Sequence, residues 1–300
     1  MELHGLRKRL SYGFQAALLG VTLALLRALP LDWASGLGGF VARHIGPWVP
    51  VSRVGRRNLR AAFPDKSNAE IERILAGVWD NLGRVFAEYP HLDRIWDVGP
   101  EGPQPGGRIQ TDDMERFREL RDSGKPGIFF TAHCGNWELL PIGAERHGLK
   151  VAVVYRAPNN PYAAELVQKI RQRSMGRLLP TGMLGTRAAA EALDKGEHLG
   201  ILVDQYYGRG LDLPFFGRPA RTAPALAKLA LRYDSRVAGA FVERLGGARF
   251  HLRIMPPLEL PRTGDTEADE RALMTQVTRQ VEDWVRAHPE QWLWLHRRWR

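Results

Sequence analysis

His133 and Glu138, five positions apart in the stretch Gly127 to Ile142 (GIFFTAHCGNWELLPI), have the chemistry of an acid–base pair. A carboxylate on one imidazole nitrogen fixes the ring's tautomer and leaves the other nitrogen free to take a proton from an alcohol or amine. The apolar run Ile128 to Thr131 predicts a buried strand that stops at His133, Cys134 and Gly135. Asn136 predicts the N-cap of a following helix, with Glu138 in its first turn. Strand, tight turn and first helical turn would fold the acid back onto the ring, with His133 as general base and Glu138 as its orienting partner. Unpaired N–H groups at the helix start, near Gly135, can stabilise an oxyanion, so the chemistry suggested is acyl transfer. By spacing alone, a structural or surface histidine fits as well.

Two further strand ends carry polar residues. Val151 to Tyr155 ends in Arg156, and His198 to Val203 ends in Asp204 and Gln205. In open α/β sheets ligands bind at the carboxyl ends of the strands. Arg156 can there approach an acyl carbonyl, a phosphate or Glu138, or make a surface ion pair. Asp204 can fix Arg156 or His133, bind an acceptor hydroxyl, or only structure its loop. Cys134 is the only cysteine, which excludes an intrachain disulfide and a cysteine-based zinc site. A Cys134–His133 nucleophile pair is disfavoured, because neighbours at a strand end point in opposite directions. The nine histidines form no close ligand cluster, and no phosphate-binding glycine loop or Gly-x-Ser-x-Gly elbow is present. No metal or cofactor is expected.

The elements that must position these residues follow from periodicity. Strands alternate with helices from Gly127 to Val203, predicting an α/β fold with a central mixed sheet flanked by helices. An all-helical N-terminal third precedes it. Phe14 to Leu29 is a nearly unbroken apolar run behind Arg7, Lys8 and Arg9, a candidate membrane helix that inserts or spans. Residues 1–30 are accordingly expected as a membrane anchor and 31–300 as the catalytic domain. Asp32 to His44 predicts a second helix, whose Gly36, Gly38 and Gly39 permit close packing. Val51 to Phe63 carries Arg53, Arg56, Arg57 and Arg60 on one helical face, a stripe for phosphate, lipid headgroups or an acidic protein, or a solvated face. Asn68 to Tyr89 and Glu267 to Ala287 predict long helices, and Arg236 to Val242 with Arg249 to Met255 a hairpin. Phe215 and Phe216 either cap the core or line an acyl channel. Trp292, Trp294 and Trp299 in the tail suit a bilayer interface or the core.

The chain has 300 residues, 44% of them hydrophobic, and a formal net charge of +10. That balance favours phosphates, anionic lipid headgroups or an acidic partner. Basicity also permits a non-catalytic membrane- or nucleic-acid-binding protein, but no nucleic-acid module is present and no nucleic-acid partner is expected.

HCGNWE resembles the His-x4-acid motif of the lysophospholipid acyltransferase superfamily, in particular its lipid A late acyltransferase branch. NLRAAFP, YRAPNNP, ILVDQ with LPFFGRPARTAPALAKLA, and the tail resemble further blocks of that family in order. The resemblance implies a glycerolipid-acyltransferase-like αβα fold. It implies His133 and Glu138 as catalytic residues and Arg156, Asp204, Asn136 and Gln205 as substrate-binding residues. It also implies an acyl-carrier-protein thioester, or acyl-CoA, as donor and a hydroxyl on an anionic lipid A precursor as acceptor. The expected location is the cytoplasmic face of a bacterial inner membrane. Related enzymes acylate other glycolipids or phospholipids from acyl-CoA.

Overall fold

A computed structural model describes residues 2–155 and 158–299. Four helices form the N-terminal third: α1 (Glu2–Ala28), α2 (Leu31–Ile45), α3 (Ser52–Ala62) and α4 (Asn68–Glu88). The α4 start is a full capping box, in which Ser67 and Glu70 satisfy each other's backbone N–H groups. Helix α2 meets α4 through glycines: a Cβ on Gly38 would lie 2.4 Å from the Gly83 carbonyl oxygen. The close packing expected of the second helix therefore falls on Gly38 and Gly39, while Gly36 faces open space.

The α/β part follows as β1 (Ile109–Gln110), α5 (Met114–Arg121), β2 (Gly127–Thr131), α6 (Leu139–Arg146), β3 (Val151–Val154), α7 (Pro161–Gln172), β4 (Arg177–Leu179), α8 (Met183–Asp194) and β5 (His198–Leu202). A hairpin of β6 (Leu211–Phe215) and β7 (Arg218–Thr222), α9 (Ala225–Tyr233), β8 (Arg236–Gly246), β9 (Arg249–Ile254) and α10 (Thr266–Ala287) complete it. The central sheet has the order β1-β9-β8-β2-β5-β3-β4. Strands β8, β2, β5, β3 and β4 are parallel, and β9 runs against β8, so the sheet is mixed.

The two faces of β2 enter different cores, as period-2 alternation requires. Ile128 and Phe130 pack with α8, α9, α10 and the C-terminal tail. Phe129 lies on the other face with Phe117 of α5 and Val153 of β3.

Three open alternatives narrow. Phe215 and Phe216 close the β6–β7 hairpin and pack edge-on or tilted against Trp292, Trp294 and Trp299, ring centroids 5.6 to 6.5 Å apart, so they build core. The three tail tryptophans are likewise buried in that core. The arginine stripe of α3 is divided: Arg56 is held by Glu72 and the Pro47 carbonyl, while Arg53, Arg57 and Arg60 remain exposed.

Candidate active site

Register brings the site together. β2 and β5 are parallel neighbours with Thr131 opposite Leu202. His133 and Asp204 each lie two residues beyond that pair, so they emerge level at the carboxyl edge of the sheet. There the His133 Nδ1 lies 2.8 Å from Asp204 Oδ1, and the His133 backbone N–H donates to Oδ2 at 2.8 Å. The indole N–H of Trp292 donates to the same Oδ2 at 2.7 Å. Asp204 has a fully buried side chain, and three donors satisfy it. Gln205 is exposed and places its amide nitrogen 3.4 Å from His133 Nε2.

The carboxylate that holds the imidazole is thus Asp204, and the expected Glu138–His133 hydrogen bond is not formed. Glu138 turns to Arg171 of α7, which donates from Nε at 3.1 Å and from a terminal nitrogen to the other carboxylate oxygen. The reason is local: α6 begins at Leu139 with Glu138 as its N-cap, two residues later than the Asn136 cap expected, and the Glu138 side chain is drawn to a guanidinium also stacked on Tyr155 and Tyr89. Glu138 still acts on His133 through its charge.

The electrostatics follow from that wiring. Burial disfavours the imidazolium, but the charge and hydrogen bond of Asp204, with a smaller contribution from Glu138, outweigh it, so the His133 pKa lies above the ordinary histidine value. Burial alone would raise the Asp204 pKa, yet His133 and His296 hold it well below the ordinary carboxylate range. Burial raises the Cys134 thiol well above its ordinary pKa, which leaves no thiolate for nucleophilic chemistry.

The turn after His133 is fixed from behind. Gly135 has φ +54, and a Cβ there would stand 2.1 Å from the Val242 carbonyl oxygen, so only glycine fits. Its N–H donates to the Gln291 carbonyl at 3.1 Å and its carbonyl accepts from Asn81 at 3.0 Å. The Gly135 N–H is therefore already bonded and offers no oxyanion donor. Asn136 is fully buried; its amide donates to Glu88 at 2.8 Å and its oxygen accepts the Glu138 N–H at 3.3 Å. That burial removes it from substrate contact, and its role is to hold the turn. Glu88 is in turn bound by Arg244 at 2.5 and 3.0 Å and by Ser35 at 2.7 Å. Arg156 lies outside the described residues.

An apolar cavity opens beside this edge. Toward the carboxyl edge of the sheet it is lined by Thr131, Trp137, Glu138, Tyr155 and Arg171, and it runs between the sheet (Phe129, Val153, Ile201, Leu252) and helices α5 and α6 (Met114, Phe117, Leu140, Ala144), with Trp96 and His147 also in its wall. About 130 Å³ is open to the centres of water-sized molecules. His133 is not itself a lining residue; its ring packs edge-on against Trp137, which is one, with centroids 5.1 Å apart. Among the described residues no group of His, Cys, Asp or Glu is arranged to hold a metal ion.

Arg171 and Trp292 were not singled out from sequence as site residues. Arg171 sits in an ordinary helical pattern with no motif around it; its only signal is that a buried Glu138 requires a cation.

The chain matches the model of the family described as bacterial lipid A biosynthesis acyltransferase over residues 6–300. It is 26% identical over 241 residues to the lipid A biosynthesis myristoyltransferase of Escherichia coli (strain K12), covering 79% of this chain and 72% of that protein. It is 28% identical over 259 residues to the lipid A biosynthesis lauroyltransferase of the same strain, covering 83% and 79%. A lipid A biosynthesis acyltransferase of Haemophilus influenzae is 26% identical over 269 residues, covering 87% and 81%.

Proposed function

The chain belongs to the bacterial lipid A biosynthesis acyltransferase family and is an acyltransferase; from that premise we propose that it moves a fatty acyl group from an acyl-carrier-protein thioester to a hydroxyl on a lipid A precursor, with His133 as general base. The observation that carries this reading is the imidazole itself: Nδ1 is held by buried Asp204, and Nε2 faces the exposed Gln205 beside an apolar cavity.

The acyl chain would lie in the cavity, which places the thioester carbonyl at the Glu138–Arg171 end. His133 Nε2 takes the proton of the acceptor hydroxyl as its oxygen attacks that carbonyl. The tetrahedral oxyanion is stabilised by Arg171, the buried cation in the cavity lining. Collapse expels the thiolate, which leaves with the proton returned by the imidazolium. A thioester is already activated, so the enzyme contributes mainly placement and charge. Asp204 is the orienting partner of His133; Glu138 positions Arg171 and tunes the field at the base. Gln205 is placed to meet the incoming hydroxyl, and Arg156 is assigned to the same edge.

Helix α1 is long and apolar enough from Arg9 to Ala28 to cross a membrane. We assign residues 1–30 as an anchor and 31–300 as the catalytic domain, working on the cytoplasmic face of a bacterial inner membrane.

The test is to incubate the purified protein and His133→Ala with a phosphorylated disaccharide lipid and a panel of acyl-carrier-protein and CoA thioesters, reading products by mass spectrometry. Acyl transfer by the wild type and none by the variant is expected. Full activity in His133→Ala removes the base; transfer from CoA alone replaces the donor.

A further inference from the structure

Helix α2 is amphipathic the wrong way round for a helix of a water-soluble domain. Its buried face carries small residues, Ser35, Gly38, Gly39 and Ala42, against α4, where Gly38 and Gly83 nearly touch. Its large apolar residues point outward instead: Trp33, Leu37, Phe40 and Val41 fall on one stripe and are all exposed. Trp48, just past the helix, is 86% exposed. Among the described residues Trp33 and Trp48 are the exposed indoles, whereas the tryptophans of the basic tail are buried in the core. A contiguous stripe of this kind on a soluble monomer marks an interaction surface.

Charge identifies the partner. Arg43 lies on α2 itself, and Arg53 and Arg57 lie on α3, the helix that follows Trp48; all three are exposed, and no carboxylate pairs with any of them among the described residues. Exposed indoles flanked by free guanidinium groups suit the headgroup layer of an anionic bilayer, where the rings sit at the boundary and the arginines meet phosphate. The stripe also follows directly on α1, whose own outward face (Leu10, Phe14, Leu18, Val21, Leu25) is exposed and apolar.

The geometry points to a second membrane contact beyond the α1 anchor: α2 lies in the plane of an anionic leaflet, with Trp33 and Trp48 in the interface and Arg43, Arg53 and Arg57 on lipid phosphates. Such a contact would act with α1, which is docked on the domain through Arg27–Asp93 and Asn160, to fix the orientation of the catalytic domain on the surface.

Helix α1 contains no tryptophan, so the indoles report on this contact separately. Full-length protein and Trp33→Phe/Trp48→Phe are reconstituted in phosphatidylcholine vesicles containing phosphatidylglycerol, with brominated acyl chains as fluorescence quencher. Strong quenching in the wild type, most of it lost in the double variant, is expected. High salt or omission of phosphatidylglycerol should reduce the Trp33/Trp48 share in the wild type but not in Arg53→Gln/Arg57→Gln. Equal fractional quenching in wild type and double variant overturns the proposal. So does shielding of both indoles from bromolipid and aqueous iodide alike with a crosslinkable dimer, since a second copy would then cover the stripe. Neither result depends on which acyl donor or acceptor the enzyme uses.

Discussion

Replacing Asp204 by Asn tests the wiring of the base most directly. The carboxylate accepts three hydrogen bonds, one from the imidazole at Oδ1 and two at Oδ2, from the His133 N–H and the Trp292 indole. An amide cannot replace it in either orientation. With its oxygen on the ring, its NH2 group faces two N–H donors that lose their acceptor. With its oxygen on those donors, the NH2 faces Nδ1, which must then become the acceptor, so the ring proton moves to Nε2 and the base is lost. Losing two hydrogen bonds to a charged group costs about 3–6 kcal/mol at roughly 1.5–3 each. The rate should fall by about 10²–10⁴, the usual contribution of a positioned base. The sign of the pH effect is fixed as well. A base acts when neutral, so wild-type kcat/KM falls as pH drops through a His133 pKa that lies above the ordinary histidine value. Without the Asp204 charge burial prevails, the pKa moves down, and the acid limb must shift to lower pH. The assay is thiol release from the acyl thioester across pH in the presence of acceptor, with circular dichroism to confirm folding. A folded Asp204→Asn enzyme within threefold of wild type, with its acid limb unmoved, refutes the assignment. If Glu138→Gln instead gave the larger limb shift, the histidine would answer to Glu138.

Breaking the Glu138–Arg171 pair on one side, as in Arg171→Met, leaves a buried carboxylate alone and should cost about 3–5 kcal/mol in chemical denaturation. The Glu138→Gln/Arg171→Met double variant should recover most of that stability while transfer stays low, because the oxyanion has lost its cation. Gly143→Ala would put a methyl 2.2 Å from the Trp96 ring in the cavity wall, so the indole must shift into the cavity; donor preference measured by mass spectrometry should move to shorter acyl chains, at a stability cost of about 1–3 kcal/mol. Arg244→Met leaves Glu88 buried and unpaired behind the His133 turn, and should lower both unfolding stability, by about 3–5 kcal/mol, and kcat more than KM.

Most elements were legible because the hydrophobic period is strong where they occur: β2, β3, β5, α4 and α10 lie within a few residues of their expected bounds. The β6–β7 hairpin was missed for a physical reason. Pro214 and Pro219 face each other across it, and its turn is Phe216–Gly217, with φ +53 and +68, where the usual signal is Asn-Gly or Asp-Gly. Helix α5 and the short β1 were missed too. The site was half legible. That His133 and Asp204 end strands could be seen; that those strands are neighbours could not, since β2 pairs with β5 across 71 positions of sequence and order within a parallel sheet leaves no local trace. Glu138 lay nearer in sequence, and proximity in sequence favoured the wrong partner.

The division between the two carboxylates has a chemical rationale. In the proposed mechanism an acid at hydrogen-bond distance from the base and an acid holding a cation beside the cavity would perform opposite electrostatic tasks: the first would stabilise the imidazolium as it forms, and the second would keep a guanidinium in place for the oxyanion. If Glu138 contacted His133 directly, Arg171 would stand buried beside Tyr89 and Tyr155 without a counter-charge, a costly arrangement in an apolar wall. Supplying the partner of the imidazole, Asp204, from the end of β5 frees the acid of the His-x4-acid spacing for the cation. The motif and the pairing it suggests are therefore separable: under the proposed mechanism its histidine would carry the proton and its acid would hold the charge facing the carbonyl, while Asp204, outside the motif, is the carboxylate on the ring.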